Sequence, residues 1–99
     1  MAFIDQNFDR ISYVHVKDID PAVQSAVVQN RTGFYEACGQ GIFCNLGKGA
    51  VDFLAAKQLL TDRGYNGWVT VEQDCDPTLD VSPVTDAISN RQFLSAIGF

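Results

Sequence analysis

The chain has 99 residues, one domain at most, and its 46% hydrophobic, 11% aromatic and 19% charged residues exclude a disordered or fibrous chain. A net charge of -5 argues against a nucleic-acid partner, which a basic surface would draw in. No apolar run approaches a membrane span, and Met1-Ala2-Phe3-Ile4-Asp5 lacks the basic start and apolar centre of a secretory signal, so no membrane partner and a cytoplasmic setting are expected.

In chain order, Phe3 to Arg10 reads as the last turns of a helix that starts further upstream. Ile11 to Asp18 reads as a strand. Ile19-Asp20-Pro21 stops that strand and launches a helical stretch through Cys38, which Gly39-Gln40-Gly41 ends. Ile42-Phe43-Cys44 is a second, short strand, followed by the loop Asn45-Leu46-Gly47-Lys48-Gly49. Asp52 is placed to cap the next helix, whose apolar positions Phe53, Ala56, Leu59 and Leu60 have helical spacing, and Gly64 sits where a left-handed terminal residue belongs. Trp68 to Gln73 is a third strand, Pro77 and Pro83 punctuate a loop, and Val84 to Ile97 forms a closing helix. Alternating strands and helices predict parallel strands joined by right-handed crossovers. Cys38, Cys44 and Cys75 are odd in number and match no zinc or redox spacing, so they are expected to be reduced and structural.

The two longer strands carry the chemistry. The two-residue period of a strand puts Tyr13, His15 and Lys17 on one face and Val14 and Val16 on the other. It likewise separates Trp68, Thr70 and Glu72 from Val69 and Val71. Parallel strands place their C-terminal ends along one edge, where α/β proteins keep their chemistry, and His15, Lys17, the Gly47-Lys48-Gly49 loop, Glu72 and Asp74 all fall there. Strands one and three are expected about 10 Å apart across the middle strand, close enough for His15 and Glu72 to meet at one ion. Imidazole plus carboxylate suits manganese, cobalt, zinc or iron without separating them. Each residue also has a plainer reading: a lone strand histidine is commonly a hydrogen-bonded structural residue, Lys17 a rim lysine, the two glycines a turn, and Asp74, Asp76 and Asp80 a solvated acidic loop.

Taken together, Val14-His15-Val16-Lys17-Asp18, Phe43-Cys44-Asn45-Leu46-Gly47-Lys48-Gly49, Val51-Asp52-Phe53, Gly64-Tyr65-Asn66-Gly67-Trp68 and Val71-Glu72-Gln73-Asp74 resemble the xylose isomerase-like TIM barrel family of sugar isomerases and epimerases. The long segment from Asp18 to Gly47, with Phe34-Tyr35-Glu36-Ala37, and Gln73-Asp74-Cys75-Asp76-Pro77 bring the likeness nearest to the myo-inosose dehydratases. The resemblance implies a partial (β/α)8 barrel, about strands six to eight with their helices. A whole barrel needs about 250 residues, so the first half or more would lie outside this chain. It further implies a divalent ion held by glutamate, aspartate, histidine and glutamate from four strands, with His15 and Glu72 matching the last two. Manganese or cobalt leads, with magnesium or zinc as alternatives.

On the same resemblance, Glu72 and Lys17 are the catalytic residues, and Lys17, Lys48 and Asp74 contact a polyol or keto-sugar substrate. The reaction is loss of water from a keto-inositol through an enediolate, or epimerisation from the same intermediate. Ketose epimerases of the family often carry an arginine shortly beyond the histidine, where this chain has Ile19-Asp20-Pro21-Ala22, so the epimerase alternative is the weaker one. An endonuclease IV-like barrel would need more histidine and acidic ligands and a basic surface. A non-catalytic α/β fragment or interaction module is the remaining rival. Three parallel strands cannot close a barrel, so pairing with the missing barrel half or self-association is expected.

Overall fold

The aliphatic faces anticipated from strand periodicity are what organise the structure. The computed structural model describes residues 1–99. β1 (Val14–Val16) and β4 (Val69–Val71) pair directly and in parallel, with Val14 opposite Val69, His15 opposite Thr70 and Val16 opposite Val71. Glu72 N–H extends the ladder by donating to the Val16 carbonyl at 2.9 Å. On one face, Val16 joins Leu46, Phe53 and Leu94 in a buried cluster, against which Val14, Val69, Val71, Phe93 and Ile97 pack. The Phe53 and Phe93 rings meet edge to face at 5.8 Å. The opposite face carries Tyr13, His15, Thr70 and Glu72 and is open: only 8 of 99 residues are buried, so the core is one thin layer beneath the sheet.

The helices follow their local signals. α1 (Ala2–Gln6) and a 3-10 turn (Phe8–Arg10) precede the sheet. α2 (Pro21–Asn30) starts with Pro21 in its first turn, and the Asp20 carboxylate accepts from Ala22 and Val23 N–H. α4 (Phe53–Asp62) is capped by Asp52, which accepts from Ala55 N–H at 2.9 Å, and Gly64 behind it has φ 68°. α5 (Pro83–Ala96) starts at Pro83 with Ser82 as its cap. No helix is long and apolar enough to cross a membrane, and all three cysteines are free.

Three expectations are corrected. The helical stretch from Pro21 to Cys38 is two helices, α2 and α3 (Phe34–Gly39), because Arg31 turns left-handed (φ 54°, ψ 39°) and Thr32-Gly33 redirect the chain. The expected strand Ile11 to Asp18 is cut short. Its end, β2 (Asp18–Ile19), leaves the barrel-like sheet and pairs antiparallel with β3 (Phe43–Cys44), Asp18 opposite Cys44. The middle strand is therefore not a third parallel strand, and β1 and β4 are immediate neighbours rather than about 10 Å apart across it. The parallel part is two strands, narrower than the three expected.

Candidate active site

Direct pairing of β1 with β4 sets the site geometry. His15 stands in β1 and Glu72 one residue past the end of β4, and their side chains rise from the same face. His15 Nδ1 lies 2.8 Å from Glu72 Oε2. Lys17, one residue beyond β1, donates to Glu72 Oε1 at 2.9 Å and also to Asp74 Oδ2. Beneath the ammonium lies the Phe43 ring, its centroid 3.9 Å from Nζ, so β3 supplies a cation–π support. His15 and Glu72 are about half exposed, Lys17 less so.

The charges reinforce one another. Hydrogen bonds from His15 and then Lys17 hold the Glu72 carboxyl below its ordinary 4.5. Partial burial pulls the Lys17 pKa down, but hydrogen bonds to Asp74 and Glu72 and their charges outweigh it and leave Lys17 above 10.5. Around neutral pH the cluster thus holds an ionised carboxylate between an imidazole and an ammonium. Asp74, placed by sequence in a solvated loop or against substrate, is drawn into the cluster by Lys17. Asp76 accepts from the Thr78 hydroxyl and N–H, which lower its pKa. Lys48 stands exposed on its turn and does not join His15, Lys17 and Glu72.

That turn has a different purpose. The Asp18 side chain, 1% exposed, accepts from four backbone N–H groups: Ile19 at 3.0 Å, Gly47 at 2.9 Å, Gly49 at 3.0 Å and Val51 at 3.1 Å. A Cβ on Gly49 would overlap the Asp18 carboxylate and the Ile19 carbonyl, and Gly47 has φ 82° with the Phe93 ring against its Cα. The two glycines are there so that a backbone loop can wrap a buried carboxylate. A second buried polar group, Asn90, accepts from Leu46 N–H at 2.8 Å and donates to Gln73 Oε1 at 2.7 Å, while Gln73 donates to Asn45. This relay ties α5 to the loop and to the end of β4, next to Glu72. Neither anchor was anticipated. A Gly-x-Gly turn 29 residues after an aspartate was the only available signal, and Phe43 gave none beyond being apolar.

His15 and Glu72 are suitable ligand types for a divalent ion, but no group of three His, Cys, Asp or Glu side chains able to hold one occurs in the chain. As two donors of the right type they fit part of a ligand set, which a divalent ion would need completed by further donors.

Parallel strands that carry an imidazole and a carboxylate on one face at their C-terminal edge mark an α/β protein, with those groups on the edge where such folds keep their sites. The sequence matches the xylose isomerase-like TIM barrel family over residues 2–97, and the chain belongs to that family. Similar proteins include the inosose dehydratase of Serratia proteamaculans, 35% identical over 94 residues, which are 95% of this chain and 31% of that protein. Those of Clostridium botulinum and Geobacillus thermodenitrificans are 34% and 32% identical, over 86% and 92% of this chain and 28% and 30% of theirs. The chain thus spans about a third of the length of these relatives. No solved structure matches it significantly.

Proposed function

We propose that this chain is the C-terminal portion of a divalent-metal-dependent lyase acting on a keto-inositol, as the relatives named inosose dehydratase do by name. The observation that carries the reading is the meeting of His15 and Glu72, 2.8 Å apart, on the open face of two adjacent parallel strands. His15 and Glu72 would hold the ion, which supplies Lewis-acid polarisation of a substrate carbonyl.

The chain's own residues do the rest. Glu72, kept ionised by His15 and Lys17, takes the proton from the carbon beside the carbonyl. Lys17, held by Asp74 and Phe43, donates a hydrogen bond to the oxygen on which negative charge grows. The electron pair of the broken C–H bond forms the new C–C double bond as the C–O bond on the next carbon breaks, and the leaving hydroxyl takes the proton back from Glu72 to depart as water. Asp74 serves this reading as the holder of Lys17.

The remaining ligands would come from strands outside this chain. A folded monomer of 10.9 kDa exposes about 5,600 Å², whereas this one exposes 6815 Å². The excess of about 1,200 Å² is enough for an interface on one partner. Apolar grooves of about 730 and 310 Å³ flank the sheet, one between β4 and α5 with Trp68, Val71 and Phe99, the other along β1 with Ile11 and Val14. Both support a reading in which further barrel strands, or further copies, pack there.

Native mass spectrometry with and without manganese, with parallel assays of inosose dehydration and ketohexose turnover, tests the proposal. An assembly that holds metal, releases water from inosose and loses both properties in His15→Ala and Glu72→Ala supports it. Turnover of a ketohexose without water release would move the assignment to an epimerase. A metal-free chain inert in every assembly would leave a non-catalytic module.

A further inference from the structure

Under the charged cluster runs a chain of amide side chains that the proposed chemistry does not use. Lys17, Glu72 and Asp74 stand on the open face, while their chain neighbours Asp18 and Gln73 turn to the core side, as the two-residue period of a strand requires. There Asp18 is gripped by the N–H groups of Gly47 and Gly49, and the same loop donates Leu46 N–H to Asn90 Oδ1 at 2.8 Å. Asn90 Nδ2 donates to Gln73 Oε1 at 2.7 Å, and Gln73 Nε2 donates to Asn45 Oδ1 at 3.1 Å. A continuous set of bonds therefore leads from the neighbour of Lys17, through α5, to the neighbour of Glu72 and Asp74.

Packing alone does not call for an amide at the centre of this set. Asn90 is 2% exposed and lies one turn before the buried Leu94, where a leucine of similar shape would extend the core. An amide in that place costs stability unless its bonds are made, and no buried side-chain polar atom of the chain lacks a partner. What the amide supplies is direction.

The cluster above needs that direction. The bond from Glu72 N–H to the Val16 carbonyl is the last backbone bond between the two strands, and none joins them at Lys17, Gln73 or Asp74. The ion pairs themselves are partly exposed and contribute about 1 kcal/mol or less each, too little to hold two strand ends in register. We propose that Asn90, acting through Gln73, is a positioning residue. It fixes the end of β4 against the Gly47 loop, and so against the end of β1, at the separation that lets Lys17 reach Glu72 and Asp74 together. The importance of that separation for catalysis rests on the function proposed above, but the separation itself does not.

Gln73→Met cuts the link while keeping side-chain length, and Asn90→Leu removes both of its halves. Amide hydrogen exchange and NOE contacts between Lys17 Hε and Asp74 Hβ, both recorded on the metal-free chain, read the outcome. In Gln73→Met the Glu72 amide should exchange about fivefold faster, the factor carried by one hydrogen bond of ordinary net strength, and the Lys17 to Asp74 contacts should weaken. Amides toward the C-terminal end of α4, away from the network, should change far less. Asn90→Leu should also speed exchange at the Leu46 amide, whose acceptor is lost.

Exchange raised equally at Glu72 and along α4 in both variants would reduce Asn90 to a stability role and overturn the proposal. Lys17 to Asp74 contacts of wild-type strength in Gln73→Met would overturn it too. Should Asn90→Leu fail to fold, Gln73→Met, at a half-buried position, decides alone. Neither readout needs metal or substrate. A chain inert toward inosose that showed the local loosening would sink the enzyme reading and keep the positioning role.

Discussion

Asp18 and Glu72 are two carboxylates near the ends of neighbouring strands, each holding several hydrogen bonds, and they do opposite work. Asp18 is 1% exposed and its four donors are backbone N–H groups, from Ile19, Gly47, Gly49 and Val51, which cannot move without unfolding the loop. Glu72 is about half exposed and its donors are the side chains of His15 and Lys17, both able to rotate or exchange for another partner. A carboxylate bound by backbone is scaffold, and one bound by side chains is available for chemistry. The difference lies in the partners more than in the residue.

Asp18→Ala should produce the largest effect. It leaves four donors around an emptied pocket, and loss of buried hydrogen-bond partners of this kind costs about 3 kcal/mol or more. Urea denaturation should show it as a fall in midpoint, with the wild-type slope if the transition stays two-state. A midpoint within error of the wild type would mean that the loop does not depend on the carboxylate, and the contrast with Glu72 would fail.

Gly49→Ala attacks the same hub from the loop side. The new Cβ would overlap the Asp18 carboxylate and the Ile19 carbonyl, backbone that cannot give way cheaply, and overpacking of this sort costs about 1–3 kcal/mol. Lys17→Met belongs to the other region. It keeps a side chain of similar length and removes the ammonium, with its partly exposed pair to Glu72 and its contact with the Phe43 ring, so stability should fall by about 1 kcal/mol at most. If Lys17→Met destabilised the chain more than Gly49→Ala, the division between scaffold and site would be reversed.

The sequence carried this division only in part. α4 was legible because its signals are local, Asp52 and Gly64 bracketing it, and α5 was placed over Val84 to Ile97, with Pro83 assigned to the loop although it is the first residue of the helix behind the Ser82 cap. The two faces of β1 and β4 were legible because a period of two is a property of the strand itself, and Val16, Val69 and Val71 went to the core as it required. Strand neighbours were not legible. β2 and β3 are two residues each, too short to carry a period, and nothing local separates a parallel middle strand from a small antiparallel ladder. Asp18 was hidden for the same reason: three of its partners lie 29 to 33 residues downstream. His15, Lys17 and Glu72 were singled out one by one in the sequence, whereas their direct contact depends on a strand pairing that only the fold supplies.

The smallest expected effect is the pH dependence of the Glu72 cluster, and its sign can be fixed in advance. Glu72 has a lower pKa in the folded chain than its ordinary 4.5, so the stability it contributes is present above 4.5 and is lost as pH falls through the lower folded value. Lys17 has a pKa above its ordinary 10.5, so its contribution is complete below 10.5 and disappears as pH rises through the higher folded value. Between these limits both groups are charged, and the difference in melting temperature between wild type and Glu72→Gln should be a plateau. On the acid side the two curves should converge, because protonated Glu72 gives His15 and Lys17 no more than glutamine does. Curves that run parallel through the acid limb would mean that the three side chains do not meet in solution, whereas convergence confined to that limb would show that this carboxylate is held by groups able to release it.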